Sequence, residues 1–346
     1  MVRGFKDDVP NVKTYVQVVD ISPKAEDIPG PDYESFLSSA SDEDRRIDMI
    51  SELDTVAINY TSGTTGMPKG VVYHARGAYL AGLAEIFEMG MNWRSNYLWT
   101  LPMFHCNGWG GVYAVTAMGG KHVIVRVPEP KELFQLVQDE KITFACMAPA
   151  VLARILDYPD YADFNITTTP RIACAGAPPP LTFVQRLEGE LGWTFLQLYG
   201  LTETAPILTM AEPKPHLNLG GGELYRIKAR AGHAALGVDL RVIGEGGLDV
   251  PQNDETVGEV AARGNMIFKG YWEQPEETSK VVRDGYFYTG DLATMDEHGY
   301  INIVDRAKDV IISGSENIYP AELEQILEGH PGVSEAAVIE QEDQFW

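Results

Sequence analysis

Basic residues are scarce in this chain. The 27 Lys and Arg stand against 50 Asp and Glu, a formal net charge of −23, which excludes a general affinity for nucleic acid or anionic lipid and makes any phosphate site a local one. Cysteine is scarcer still. Cys106, Cys146 and Cys174 lie far apart in apolar or Gly-rich surroundings and form no C-x-x-C pair, which argues against zinc and disulfides and reads as three reduced, buried thiols. Internal repeats and low-complexity tracts are lacking, and the residues after Met1 include no apolar signal region, so the expected compartment is the cytoplasm. No integral membrane segment is expected either. Residues 95–120 run 26 positions without Asp, Glu, Lys or Arg, yet Asn96, Pro102, His105, Asn107 and five glycines interrupt them, so their backbone could not be satisfied as one lipid-facing helix. They read as a buried pocket wall.

With 45% hydrophobic residues the chain is globular. Residues 1–54 are expected to be a connecting segment, since residues 20–54 are rich in Pro, Ser and acids. The core begins near Thr55, with a strand over 56–60, a Gly-rich loop, then a helix over 78–89. Strand-like and helix-like segments then alternate: 122–127, 143–147, 171–175 and 194–198 as strands, with helices over 132–138, 149–156 and 181–190 between them. That series predicts α/β architecture with a parallel sheet covered on both faces, whose ligands sit at the carboxyl ends of its strands. After Pro206 short strands and Gly turns, such as 238–243 and 257–263, predict a β-rich subdomain. Near the end, a hairpin formed by 300–304 and 310–313, a helix over 320–328 and a strand over 334–340 are expected.

Residues 60–70, Tyr-Thr-Ser-Gly-Thr-Thr-Gly-Met-Pro-Lys-Gly, carry the most information. Gly63, Gly66 and Gly70 let backbone N–H groups turn toward an anion; Thr61, Ser62, Thr64 and Thr65 add donors, and Lys69 adds a positive charge. This is not the Walker loop, which needs four residues between its glycines and Ser or Thr after the lysine. A Gly/Thr turn between two strands would carry the same pattern. Further on, Tyr199-Gly200-Leu201-Thr202-Glu203-Thr204 puts an acid, two hydroxyls and an aromatic face just past a buried strand. A carboxylate there can hold Mg²⁺ beside a polyphosphate, although the same residues also read as a helix N-cap at Thr202 with an acid in the first turn.

Together these segments resemble the signatures of the adenylate-forming (AMP-binding) superfamily, in its acyl-CoA synthetase branch. The resemblance covers residues 56–346 and implies a parallel-sheet α/β large domain with a β-rich subdomain over 55–305, followed over 306–346 by a hinge and the start of a small α+β domain. It implies that ATP is held by Thr61, Ser62, Gly63, Thr64, Thr65, Gly66 and Lys69, with Gly176, Ala177, Pro178 and Tyr199 around the adenine and Thr202 on the α-phosphate. Asp291 would take the ribose hydroxyls, Arg306 the ribose and phosphate, and Glu203 the metal. Lys308 matches the hinge about which the small domain swings between half-reactions. His105 and Trp109 match the acyl side of the site, Trp109 as the gate of a fatty acyl tunnel, while Gly200 would let an alkyl chain pass close to backbone. No Asp or Lys is placed to grip an amino-acid ammonium or a second carboxylate, so the pocket reads as apolar.

The implied reaction joins a carboxylic (fatty) acid to ATP as an acyl-adenylate and then to coenzyme A as a thioester, with a homodimer as a possible assembly. A catalytically incompetent nucleotide-binding or interaction module is the alternative. The family carries a further catalytic lysine on its small domain and a long stretch ahead of the phosphate loop. By that comparison the chain reads as truncated at both ends, and as given it is expected to bind nucleotide weakly and not to complete adenylation.

Overall fold

The computed structural model describes residues 8–18, 30–43, 51–61, 68–176, 179–313, 316–328, 330, 332–333 and 336–341. The chain divides into two compact units, Met1–Ile50 and Ser51–Trp346. In the first, helix α1 (Tyr33–Ser38) is capped by Asp32, whose Oδ1 accepts from the Ser35 N–H at 3.0 Å, and none of its residues is buried.

The second unit is α/β. Its principal sheet has seven strands: β4 (Lys121–Ile124), β3 (Asn96–Trp99), β5 (Phe144–Met147), β6 (Arg171–Cys174), β7 (Thr194–Tyr199), β8 (Thr209–Met210) and β9 (His233–Ala234), in that spatial order. The first five run parallel, and β8 and β9 close the edge antiparallel. Because side chains alternate across a strand, the apolar runs feed two cores at once. Leu98, Ala145, Met147, Ile172, Cys174 and Phe195 enter one, and Tyr97, Trp99, Phe144, Cys146, Ala173, Leu196 and Leu198 the other. On the first face the connecting helices bury residues three or four apart: Leu133 and Val137 on α4 (Pro130–Asp139), Leu152 and Ile155 on α5 (Pro149–Leu156), Val184 and Leu187 on α6 (Leu181–Glu190). The expected βαβ series is present. Residues 95–120, expected as a pocket wall, form β3, a loop and helix α3 (Gly111–Ala117), and no helix among the described residues is long and apolar enough to cross a membrane.

Three expectations are corrected. The expected order of strand, loop and helix lacks one strand: β1 (Thr55–Tyr60) pairs antiparallel with β2 (Gly70–His74), so the two form a hairpin, and helix α2 (Ala75–Glu88) starts after β2, its Gly77 N–H bonded to His74 Nδ1 at 2.8 Å. Residues 300–304 and 310–313 do not pair with each other. Strand β14 (Ile301–Arg306) lies on β13 (Tyr286–Met295), whereas β15 (Ile311–Ser313) pairs with β16 (Glu316–Ile318). The strand expected over 334–340 is not formed by its described residues: the N–H groups of Ala336 and Val338 bond instead to the carboxylates of Glu328 and Glu324 on α9 (Pro320–Glu328), at 3.2 and 2.8 Å.

The β-rich part after Pro206 holds an antiparallel sheet of β10 (Asp239–Ile243), β11 (Gly258–Arg263), β13, β12 (Val282–Arg283) and β14. Its β11–β13 register breaks where Val260 faces Thr289, Gly290 and Asp291, with Gly290 at φ +78°. Such an irregularity re-aims the residues that follow it. Here it is Asp291 that is re-aimed.

Candidate active site

A cleft of about 850 Å³ lies where the carboxyl end of β7, the β1–β2 hairpin and the β13–β14 pair meet. Its lining brings together Thr61, Lys69, His105, Trp109, Gly176, Tyr199, Gly200, Thr202, Glu203, Asp291, Arg306 and Lys308. These residues span the chain from 61 to 308, and the fold gathers them. Ser62, Gly63, Thr64, Thr65, Gly66, Ala177 and Pro178 lie outside the described residues. At the loop's base the Thr61 N–H donates to the Lys69 carbonyl at 3.0 Å, closing the hairpin that carries it.

One wall is polar and tightly connected. The Tyr199 hydroxyl donates to Asp291 Oδ2 at 2.7 Å, and Arg306 Nε lies 3.3 Å from Asp291 Oδ1, the two residues being cross-strand neighbours on β13 and β14. Asp291 is only 5% exposed. Burial raises its pKa, against the opposing pull of the Tyr199 hydrogen bond and the Arg306 charge. The Tyr199 phenol is pushed far up by burial and by the Asp291 carboxylate, which keeps it a neutral donor. The result is a carboxylate held in place by two donors with lone pairs remaining, suited to accept from a vicinal diol.

The second wall is the turn after β7. Thr202 is not the cap of that turn: Leu201 occupies the cap position, and Thr204 Oγ1 accepts from the Leu201 N–H at 2.9 Å. The Thr202 hydroxyl is therefore not used as a cap; it shares a hydrogen bond with Cys106 Sγ at 3.2 Å, while its carbonyl accepts from Tyr73 Oη at 2.6 Å. Glu203 is buried, with Oε1 accepting from Tyr271 Oη at 2.7 Å. Gly200 lines the cleft, and a side chain there would also meet backbone: a Cβ would lie 1.7 Å from the Pro206 carbonyl oxygen.

The third wall is apolar and strained. Cys106, Asn107, Gly108, Trp109 and Gly110 all have φ between +49° and +77°, a left-handed turn that costs about 1–2 kcal/mol for each residue with a Cβ. Trp109 packs against the core that contains Tyr97, Trp99 and Ala114, and His105 lines the cleft beside it. Lys308 stands at the rim, 39% exposed, 3.7 Å from Asp309 Oδ1. The three thiols are free and buried, with Cys146 and Cys174 pushed up to about 12 by burial.

Sequence reasoning missed Tyr271, which joins two of its residues by placing its hydroxyl on Glu203 and its ring 4.9 Å from Lys69 Nζ. Nothing local marks a tyrosine 68 residues from its partner. It also missed Glu277, whose Oε2 lies 2.7 Å from Lys69 Nζ, and Glu85, a carboxyl 1% exposed whose two oxygens have no partner among the described residues.

With this geometry in place, the comparisons with known proteins define the class. Residues 5–272 match the profile of a family described as AMP-binding enzyme, and the chain belongs to that family. Probable acyl-activating enzyme 6 of Arabidopsis thaliana is 39% identical over 299 residues, covering 86% of this chain and 54% of that protein. The 2-methylpropanoate–CoA ligase of Humulus lupulus is 40% identical over 300 residues, covering 86% and 53%. The chain thus spans about half the length of these curated relatives. Among solved structures, ATP-bound MatB from Rhodopseudomonas palustris superposes with a TM-score of 0.77 at 29% identity, over 88% of this chain and 58% of that one.

Proposed function

We propose that these residues form the nucleotide- and acid-binding part of an AMP-forming acid–thiol ligase, which activates an apolar (fatty) carboxylic acid with ATP and passes it to coenzyme A. The observation that carries this reading is the convergence of the Tyr199–Asp291–Arg306 diol acceptor, the Thr202 hydroxyl, held only by a thiol, and Lys69 on one cleft with an apolar wall at Trp109. The family membership and the named relatives support it.

In the first half-reaction a carboxylate oxygen of the acid attacks the α-phosphorus of ATP, and the bond to pyrophosphate breaks. Asp291 and Arg306 fix the ribose; Thr202 donates to an α-phosphate oxygen, and Lys69 and the loop neutralise the leaving pyrophosphate. In the second, the coenzyme A thiolate attacks the acyl carbonyl and AMP leaves with the bonding pair. Catalysis is positioning plus charge neutralisation, and these residues contribute to both. Glu203 suits a single protein ligand of Mg²⁺: a buried carboxylate steadied by Tyr271 through one oxygen, in a cleft where the nucleotide phosphates would complete the shell. When bound, the ion would neutralise phosphate charge.

Removing the diol acceptor should show at once in binding. Asp291→Ala is expected to weaken ATP binding by about 1–3 kcal/mol in a calorimetric titration, the range for hydrogen bonds to charged groups, and unchanged affinity would sink the ribose assignment. Trp109→Ala is expected to shift the acyl-length profile of thioester formation toward longer chains, since the indole occupies the apolar wall; an identical profile would make it an ordinary packing residue. The function as a whole is tested by ATP–pyrophosphate exchange with carboxylates of graded length. It should be run on this chain and on one extended by a relative's C-terminal domain. Acid-dependent exchange is the expected outcome for the extended protein. ATP binding without exchange in either would leave a nucleotide-binding module.

A further inference from the structure

Lys69 is the one charged side chain of the phosphate hairpin, and it is not waiting free. Its Nζ lies 2.7 Å from Oε2 of Glu277, on the short helix α8 (Pro275–Val281), and 4.9 Å from the centre of the Tyr271 ring. The other Glu277 oxygen, Oε1, is held by Lys280 one turn along the same helix. Glu277 is not among the residues lining the cleft, whereas Lys69 and Tyr271 are, so the carboxylate grips the lysine from outside the site. Tyr271 is fixed at both ends: its N–H bonds to Thr278 Oγ1 at 2.9 Å and its hydroxyl to Glu203 at 2.7 Å. Helix α8 thus braces both the phosphate-loop lysine and the carboxylate at the other side of the cleft.

Resting on the ATP reading above, we infer that Glu277 is a positioning residue that stands in for phosphate: it parks Lys69 when no nucleotide is bound, and binding of a polyphosphate proceeds by counter-ion exchange, Lys69 leaving Glu277 for the β,γ-phosphates. The two lysines sit on different oxygens of one carboxylate. When Lys69 leaves, Glu277 keeps Lys280, and the exchange strands no unpaired charge. Its two lysine partners, Lys280 foremost, hold the Glu277 pKa down to about 2, so the parking contact persists across the whole neutral and mildly acidic range. Both partners are about a third exposed, 27% and 32%, which keeps the contact weak enough for ATP to displace.

The consequence is a rise in affinity on removing an acidic residue that never touches the ligand. By calorimetry on the full chain with ATP, tripolyphosphate and AMP as separate titrants, Glu277→Gln is expected to tighten ATP and tripolyphosphate about two- to fivefold, the size of an exposed ion pair, and to leave AMP unchanged, because AMP lacks the phosphates that recruit Lys69. Lys280→Met has the opposite sign. With its second partner gone Glu277 holds Lys69 harder, and both polyphosphates should bind about twofold more weakly. ATP affinity that is equal or lower in Glu277→Gln, or a change shared by AMP, would overturn the exchange while leaving the nucleotide site intact. A site that takes none of the three titrants in any variant would overturn both.

Discussion

Gly200→Ala is expected to lower the stability of the chain by about 3 kcal/mol or more and to abolish ATP binding in whatever fraction stays folded. The clash is with backbone, not with a side chain that could swing away: the new Cβ would sit 1.7 Å from the Pro206 carbonyl oxygen, 2.8 Å from the Pro206 carbonyl carbon and 3.0 Å from the Leu208 amide nitrogen. That carbonyl is already engaged by the Thr204 hydroxyl at 2.8 Å, and the Leu208 N–H bonds to Tyr199 at 2.9 Å. Relief would have to unpair β7 from β8. The residues displaced would be Tyr199, Thr202 and Glu203, to which the proposed function assigns the diol anchor, the phosphate donor and the metal carboxylate. Urea denaturation checks the stability change. A loss below about 1 kcal/mol, within the range of ordinary surface substitutions and mild repacking, would show that the turn can shift and is not rigidly set by Pro206.

Much of this site could be seen in the sequence, because its motifs are short and local. The apolar strand runs 143–147, 171–175 and 194–198 became β5, β6 and β7, since a strand buried on both faces needs nothing but apolar residues and a helix on each side. Tyr199, Thr202 and Glu203 then fall at the end of β7, where a parallel sheet presents ligands. What failed was pairing. Residues 300–304 read as the partner of the next strand-like run, 310–313, but β13, ten residues long and earlier in the chain, pairs with them instead. In the strand expected over 334–340, the N–H groups of Ala336 and Val338 are taken by carboxylates of α9 and not by a neighbouring strand. Thr202 as a cap failed by one residue: Leu201 takes the cap position, and Thr204 Oγ1 accepts from its N–H. Tyr271, Glu277 and Glu85 were invisible because each acquires its meaning from a partner distant in sequence, or from having none.

Glu85 is the one whose consequence can be measured without any ligand. It lies on α2 with both oxygens unpartnered among the described residues, and a Cβ built on Gly110 would fall 1.8 Å from its Oε1, so the left-handed turn beside Trp109 leaves room for this carboxyl only because residue 110 is glycine. Burial raises its pKa well above the ordinary carboxylate value. Neutral in the folded chain and ionised in the unfolded one, it makes the unfolded state bind fewer protons. The sign follows from linkage: this group's contribution is most favourable below about pH 4.3, and stability is lost as pH rises from there to the folded-state pKa, at about 1.4 kcal/mol per pH unit. Glu85→Gln keeps the size and removes the titration. The stability of the Gln variant relative to the parent should therefore grow as pH rises above the ordinary carboxylate range and level off at the folded-state pKa, by urea denaturation at fixed ionic strength. Ordinary acid denaturation runs the other way, through carboxylates whose pKa values are lowered, such as Asp239 beside Tyr286 and Arg263, and it affects both proteins equally. The difference between the two curves isolates Glu85. Parallel curves would mean that the carboxyl finds a partner in solution and titrates as an ordinary acid, and a difference of the opposite slope would mean that it is ionised and paired.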